Sequence, residues 1–248
     1  MNKGKLKQIL LITDGCSNKG EDPADVARLA YEHGITVNVI GILEDNQTEQ
    51  PEGLQEVEEI AQSGGGISQI VYAQALSETV QMVTRTAMAQ TLQGVVNQEL
   101  KQILGPSKGL DELPPDKRGE IMEVVEDLGE TCDMEVLVLV DTSASMNNKL
   151  PTVQESLFDL SLSLNAREGQ NKFSIYSFPG RRKDLEMIMD WTPHLESISS
   201  VFPKLSSGGI TPTGPALRGA IEQFSNKTKR SLRSLLKKDE PYMEDFGS

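Results

Sequence analysis

Val136-Leu137-Val138-Leu139-Val140-Asp141-Thr142-Ser143-Ala144-Ser145 runs from five consecutive apolar residues straight into a carboxylate and two spaced hydroxyls. An apolar run without alternation describes a strand covered on both faces, as in a parallel sheet packed between helices. The polar residues that follow lie at the strand's carboxyl end, where open α/β sheets place their ligands. A second run of this kind, residues 9–13, ends at Asp14-Gly15. A glycine-flanked threonine segment, Gly208-Gly209-Ile210-Thr211-Pro212-Thr213-Gly214, lies towards the other end of the chain.

Outward from these runs the first half alternates strand and helix. Asp22-Pro23 supplies an N-cap followed by a first-turn proline, and Val26, Leu29, Ala30 and His33 form the buried stripe of the helix that follows. Gly34 stops it before a second strand at residues 35–42. Leu54, Val57, Ile60 and Ala61 mark another helix, ending at Gly64-Gly65-Gly66 ahead of a third strand at residues 67–72. That glycine run sits between helix and strand, so it reads as helix termination and not as a phosphate loop. Ser77 opens a long helical stretch that continues past Leu92.

Residues 94–131 depart from the alternation. Gly105-Pro106-Ser107-Lys108-Gly109 and Leu113-Pro114-Pro115-Asp116 are turn chemistry, while Val95, Val96, Leu100, Ile103, Ile121, Val124, Val125 and Leu128 recur at helical spacing. The segment reads as a connector of packed helical pieces. After the strand at residues 136–140 comes a helix with Val153, Leu157, Leu160 and Leu164 on one face. Residues 173–178 and 185–189, around Pro179-Gly180-Arg181-Arg182, suggest an antiparallel hairpin at a sheet edge, with Met187, Met189 and Trp191 as core or rim packing. Two further helices, one with Leu195, Ile198, Val201 and Phe202 and one with Ala216, Leu217, Ala220, Ile221 and Phe224, flank the threonine segment. Lys227, Lys229, Arg230, Arg233, Lys237 and Lys238 form a basic helix end, and the tail from Asp239 reads as disordered. There is no internal repeat.

Length and composition bound the function. A chain of 248 residues, 37% hydrophobic and 25% charged, accommodates one sizeable α/β core. A formal charge of −13 opposes binding to nucleic acid or an anionic membrane. No apolar stretch approaches a membrane span, and the basic start of the chain lacks a signal-peptide core, so a cytoplasmic protein is expected. Cys16 and Cys132 are the only cysteines. Two cysteines build neither a disulfide framework nor a cysteine-rich zinc site, and they are expected as free thiols.

Asp141-x-Ser143-x-Ser145, the threonine of the glycine-flanked segment and the Asp14-Gly15 that closes a buried strand resemble the metal-ion-dependent adhesion site of the von Willebrand factor type A family. In that family the pieces occur in the order Asp-x-Ser-x-Ser, Thr, Asp-Gly. The present chain resembles a circular permutation of it, in which family strand 4 is residues 9–13 and family strand 1 is residues 136–140. The resemblance implies a Rossmann-like, doubly wound, mostly parallel six-stranded sheet in the order 3-2-1-4-5-6 in family numbering, with one antiparallel edge strand. Residues 1–93 and 132–226 together would form the permuted domain, residues 94–131 the helical connector, and residues 227–248 the basic helix end and tail. The long connector permits an intramolecular fold or a domain-swapped dimer. Stand-alone intracellular bacterial members of the family often act as adaptors for ATPases, kinases or phosphatases, which sets the expected class of partner.

The resemblance also implies a metal site. Ser143, Ser145 and Thr211 would bind Mg²⁺ (or Mn²⁺) through their hydroxyls, with Asp141 and Asp14 acting mainly through waters, and Thr213 is an alternative to Thr211. These are the all-oxygen donors that a hard divalent cation prefers. The open coordination position would take an acidic side chain from a partner protein. The enzymatic rival is a Mg²⁺-dependent phosphotransferase or phosphatase of haloacid-dehalogenase type with Asp141 as nucleophile. It requires a second aspartate where Ser143 stands, and serine cannot transfer that proton at neutral pH. Serine hydrolysis lacks a histidine, because neither His33 nor His194 has a place beside Ser143 or Ser145. A non-catalytic, metal-dependent protein-binding domain is therefore expected, with a metal-independent scaffold docking through residues 94–131 as the alternative.

Overall fold

Two strands from opposite halves of the chain form the centre of the sheet. In the computed structural model β1 (Lys5–Thr13) lies parallel to β4 (Asp133–Asp141), with Lys5 opposite Asp133 and Ile12 opposite Val140. Outward from β1 come β2 (Thr36–Leu43) and β3 (Gly65–Tyr72). Outward from β4 come β5 (Asn171–Phe178) and then β6 (Glu186–Thr192). The order is β3-β2-β1-β4-β5-β6, with every pairing parallel except the antiparallel β5–β6 edge. This is the expected doubly wound α/β sheet of six strands. The structure describes residues 5–15, 17–43, 51–105, 109–181, 183–195 and 210–238, with side chains described at all of these except residues 51–52 and 226–238.

The uninterrupted apolar runs have a simple cause. Successive side chains of a strand point to opposite faces, and here both faces are covered. Leu10, Ile12, Val136, Val138 and Val140 enter one core with Val80 and Val83 of α3 (Leu76–Leu104), Val125 of α4 (Pro115–Thr131) and Val153, Leu157, Leu160 and Leu164 of α5 (Leu150–Asn165). Ile9, Leu11, Leu137 and Leu139 enter the other with α1 (Pro23–Glu32), α2 (Pro51–Ser63) and α6 (Thr213–Lys238). From Gln8 of β1 and Met134 of β4 onward every residue is buried, so apolar side chains suit both faces.

Local signals set the helix ends. The Asp22 carboxylate accepts from the Ala24 amide at 2.8 Å, and Pro23 occupies the first turn. At the entry to β3, Gly65 has φ +63°, and a Cβ on Gly66 would sit 2.1 Å from the Val37 carbonyl oxygen, so the glycine run allows a close backbone approach as well as ending α2. His33 is not on the buried stripe of α1. It is the C-cap residue, exposed, with Nδ1 2.7 Å from the Leu29 carbonyl oxygen, because the chain leaves the helical path there.

The segment 94–131 comprises the second half of α3, which continues unbroken through residue 94, and α4. Val96 and Val125 pack on the core. Val95, Ile103 and Val124 are exposed by 52%, 76% and 51%, so part of the apolar periodicity has no cover among the described residues. Arg167 secures the end of α4. Buried behind α5, it donates from Nε to the Gly129 carbonyl at 2.7 Å, from Nη1 to Asn171 Oδ1 at 2.7 Å and from Nη2 to the Cys132 carbonyl at 2.9 Å. A guanidinium at a helix C-terminus also meets the negative end of the helix dipole.

At the opposite edge the Trp191 and Phe224 rings pack with centroids 5.2 Å apart, while Met187 is exposed. Cys132 is a buried free thiol. Cys16, the helix expected around Ile198, Val201 and Phe202, Gly208, Gly209 and the tail from Asp239 lie outside the described residues, as do the side chains of the basic cluster from Lys227 to Lys238. Among the described residues no helix is long and apolar enough to cross a membrane.

Two outcomes follow from this packing. Arg167→Met strands the Gly129 and Cys132 carbonyls and should lower unfolding free energy by about 3 kcal/mol, read as a lower urea midpoint. Deleting residues 1–34 removes β1 from between β2 and β4. It should leave a product without cooperative thermal unfolding, and a sharp melting transition in that fragment would mean that the two halves fold separately.

Candidate metal centre

The chain winds β1→β2→β3 to one side and β4→β5→β6 to the other, so the loops leaving β1 and β4 diverge and open a crevice between them. Asp141 is the last residue of β4 and has no exposed surface. Its Oδ1 accepts from the Ser143 amide at 2.8 Å, and its Oδ2 accepts from the hydroxyl of Thr13, the last residue of β1, at 2.7 Å. One carboxylate thus folds its own loop and ties it to the neighbouring strand. Thr142 anchors the far side, its amide donating to the Phe178 carbonyl at 2.7 Å.

Beyond Asp141 the chain makes a short 3-10 turn, Ala144–Met146, before α5. The hydroxyls of Ser143 and Ser145 lie 3.1 Å apart, and Ser145 donates to Asp14 Oδ1 at 2.8 Å. Asp14 Oδ2 receives the ammonium group of Lys149 in an ion pair whose two side chains are 4% and 2% exposed. Asp14, Asp141, Ser143 and Ser145 therefore meet in one hydrogen-bonded cluster, although the first is separated from the others by more than half the chain.

Thr211 reaches the same loops through its backbone. Its amide donates to Asn18 Oδ1 at 2.9 Å, and its carbonyl accepts from the Asn18 amide at 3.1 Å and the Ser17 hydroxyl at 3.3 Å. Among the described residues no hydrogen bond joins the Thr211 hydroxyl to either serine or either aspartate. Thr213, at the start of α6, has a buried hydroxyl with no hydrogen-bond partner among the described residues. Close approach here depends on glycine, since a Cβ on Gly214 would lie 2.0 Å from the Glu21 carbonyl oxygen. Beside Ser17 and Asn18 a cleft of about 600 Å³ is lined by Glu21, Asp22, Glu56 and Glu59 along with Lys19.

Burial pushes the Asp141 carboxyl from its ordinary 3.8 up to about 6, against the downward pull of the Ser143 amide and the Thr13 hydroxyl, with Asp14 adding to the rise. Glu56 is likewise raised by burial, although the Ser17 amide donates to it at 2.7 Å. Burial disfavours the charged form of a carboxylate, and a cation held beside it would favour that form.

The donors suit a hard cation. Among the described residues no three or more His, Cys, Asp or Glu are placed so that they could hold a metal ion by themselves, so a site here has to draw on hydroxyls as well. Two carboxylates with neighbouring hydroxyls are what a Mg²⁺-like ion accepts while keeping several waters. Thr13, Asn18 and Lys149 were not evident as parts of this cluster from the sequence. Thr13 adjoins Asp14 and Lys149 follows Ser145 by one helical turn, but nothing local marks Asn18.

The sequence pattern of the von Willebrand factor type A domain matches residues 1–102, the part of the chain that carries Asp14. The chain is 62% identical over 247 residues to the uncharacterized protein YabS of Bacillus subtilis (strain 168), covering all of both chains. A crystal structure of an uncharacterized protein from Alicyclobacillus acidocaldarius is 40% identical and superposes with a TM-score of 0.82 over 92% of this chain and 97% of that one. Proximal thread matrix protein 1 from the mussel byssus, with a zinc-occupied MIDAS motif, is 18% identical over 85% of this chain and 44% of that one. Its TM-score of 0.25 is too low to bear on the argument. Residues 1–102 thus carry the match to the von Willebrand factor type A domain, and over its full length the chain belongs to one family with the YabS protein.

Proposed function

We propose that the chain is a cytoplasmic, divalent-metal-dependent protein-binding module, circularly permuted relative to its family and without catalysis of its own. The observation that carries the reading is the convergence of Asp14, Asp141, Ser143 and Ser145 at the divergent ends of β1 and β4. In this reading Ser143, Ser145 and Thr211 hold Mg²⁺ or Mn²⁺ through hydroxyls, and Asp141 and Asp14 orient those hydroxyls and coordinating waters. Family strands 1, 2 and 3 are then β4, β5 and β6, and family strands 4, 5 and 6 are β1, β2 and β3. A cation so held supplies one Lewis-acidic position for an acidic side chain of a partner, an ATPase, kinase or phosphatase being the class expected by resemblance. Asp141 orders the loop through the Ser143 amide, and Thr13 keeps that carboxylate at the end of β1.

A second reading has its own observation. Val95, Ile103 and Leu104 of α3 and Val124 and Leu128 of α4 are exposed large apolar residues on the 94–131 segment, and that surface would dock a partner without metal. Partner capture from a native extract on immobilised protein separates the two: binding in Mg²⁺ that is released by EDTA supports the site, and binding indifferent to EDTA supports the helices.

At a free Mg²⁺ concentration about a hundredfold above Kd the wild type should gain ~2.7 kcal/mol, a rise of roughly 5–10 °C in melting temperature. Asp141→Asn, which keeps an acceptor for Thr13, should lose that response. An equal metal-induced shift in the variant would remove the site assignment. In EDTA the same pair gives a pH signature. The folded-state pKa of Asp141 lies above its unfolded value, so its contribution is fully present below about pH 4 and is lost as pH rises through about 6. Urea titrations should show wild type losing about 3 kcal/mol relative to Asp141→Asn between those limits, at ~1.36 kcal/mol per pK unit. A constant difference would show that Asp141 does not titrate there.

A further inference from the structure

Lys149 is hard to explain as a packing residue. Its side chain is 4% exposed, although lysine is almost never buried unless paired. It is the N-cap residue of α5 and makes no capping hydrogen bond with its side chain. A cation there faces the positive end of the helix dipole. Backbone bonds fix its place: its amide donates to the Met146 carbonyl at 2.8 Å, and its carbonyl accepts from the Val153 amide at 3.0 Å. From this position the ammonium group reaches Asp14, 135 residues earlier in the chain. Asp14 then has one oxygen on Ser145 and the other on Lys149.

We propose that Lys149 is a built-in counter-cation of the metal centre, satisfying Asp14 when no ion is bound and lowering the affinity for a divalent ion by its own charge. The inference rests on the metal reading given above. With Asp14 and Asp141 ionised the cluster carries two negative charges, and Lys149 returns one positive charge. A divalent cation would bring the cluster to neutrality without Lys149, and with it leaves one positive charge in excess. That excess opposes the ion alone and favours the ion together with an anionic oxygen from outside. Lys149 thereby couples metal to acidic ligand: each binds better when the other is present.

The test is isothermal titration calorimetry of Mg²⁺ into chelator-stripped full-length wild type, Lys149→Met, Lys149→Gln and Lys149→Arg. The two neutral variants should bind Mg²⁺ about tenfold more tightly, as expected when one nearby like charge is removed, and Lys149→Arg should stay near wild type. Melting in EDTA gives a readout independent of metal. Lys149→Met should melt below wild type because Asp14 is stranded, and Lys149→Met with Asp14→Asn should recover part of the loss. Wild type and neutral variants of equal affinity, or weaker neutral variants, overturn this inference and leave the metal site standing. A silent wild type with binding neutral variants supports the inference and overturns metal dependence of the native chain. Silence in all four overturns both.

Discussion

The pairing of β1 with β4 is the constraint on which everything else rests. These strands come from opposite halves of the chain, lie parallel through eight registered positions and have both faces covered by helices. Each buried side chain adds roughly 1.5–3 kcal/mol of apolar transfer, so the interior is held chiefly by strands that are neighbours in space and strangers in sequence. The winding direction reverses at this pair, and the crevice at its carboxyl end follows without further design.

What fills the crevice is polar and hydrogen-bonded, buried at Asp141 and Ser143 and open to solvent at Ser145. Asp141 has a donor on each oxygen, and so has Asp14. Such groups contribute little net stability, because the cost of removing charge from water nearly offsets the attraction gained. Their value is geometric: hydroxyls that would otherwise rotate are held within about one hydrogen-bond length of each other. Among the described residues the Thr213 hydroxyl is without a hydrogen-bond partner, and burial still raises the Asp141 carboxyl despite its two donors.

Much of this was legible in the residues, and the exceptions share a cause. Continuous apolar runs at residues 9–13 and 136–140 announce strands with two covered faces, and the alternation around Pro179 announces an antiparallel edge. Patterns of that kind depend only on near neighbours. Lys149 does not announce itself, since a lysine ahead of a helix is ordinary until its partner 135 residues away is known. Asn18 bonding Thr211 across 193 residues is hidden for the same reason. On α3 and α4, 3.6-residue periodicity shows that a stripe is apolar but not whether anything covers it, and Val95, Ile103 and Val124 are bare. His33 falls one step past the last regular turn, where helical periodicity no longer describes direction.

The long separation of β1 from β4 also bears on how the protein is made. A ribosome releases β1, β2 and β3 well before β4, and until then one edge of β1 has no neighbouring strand. That edge belongs to a strand with neither polar face nor charge between Gln8 and Thr13, the kind of surface that recruits other chains. Synthesis of this molecule therefore includes an interval of enforced vulnerability to aggregation, lasting until the second half emerges and closes the sheet.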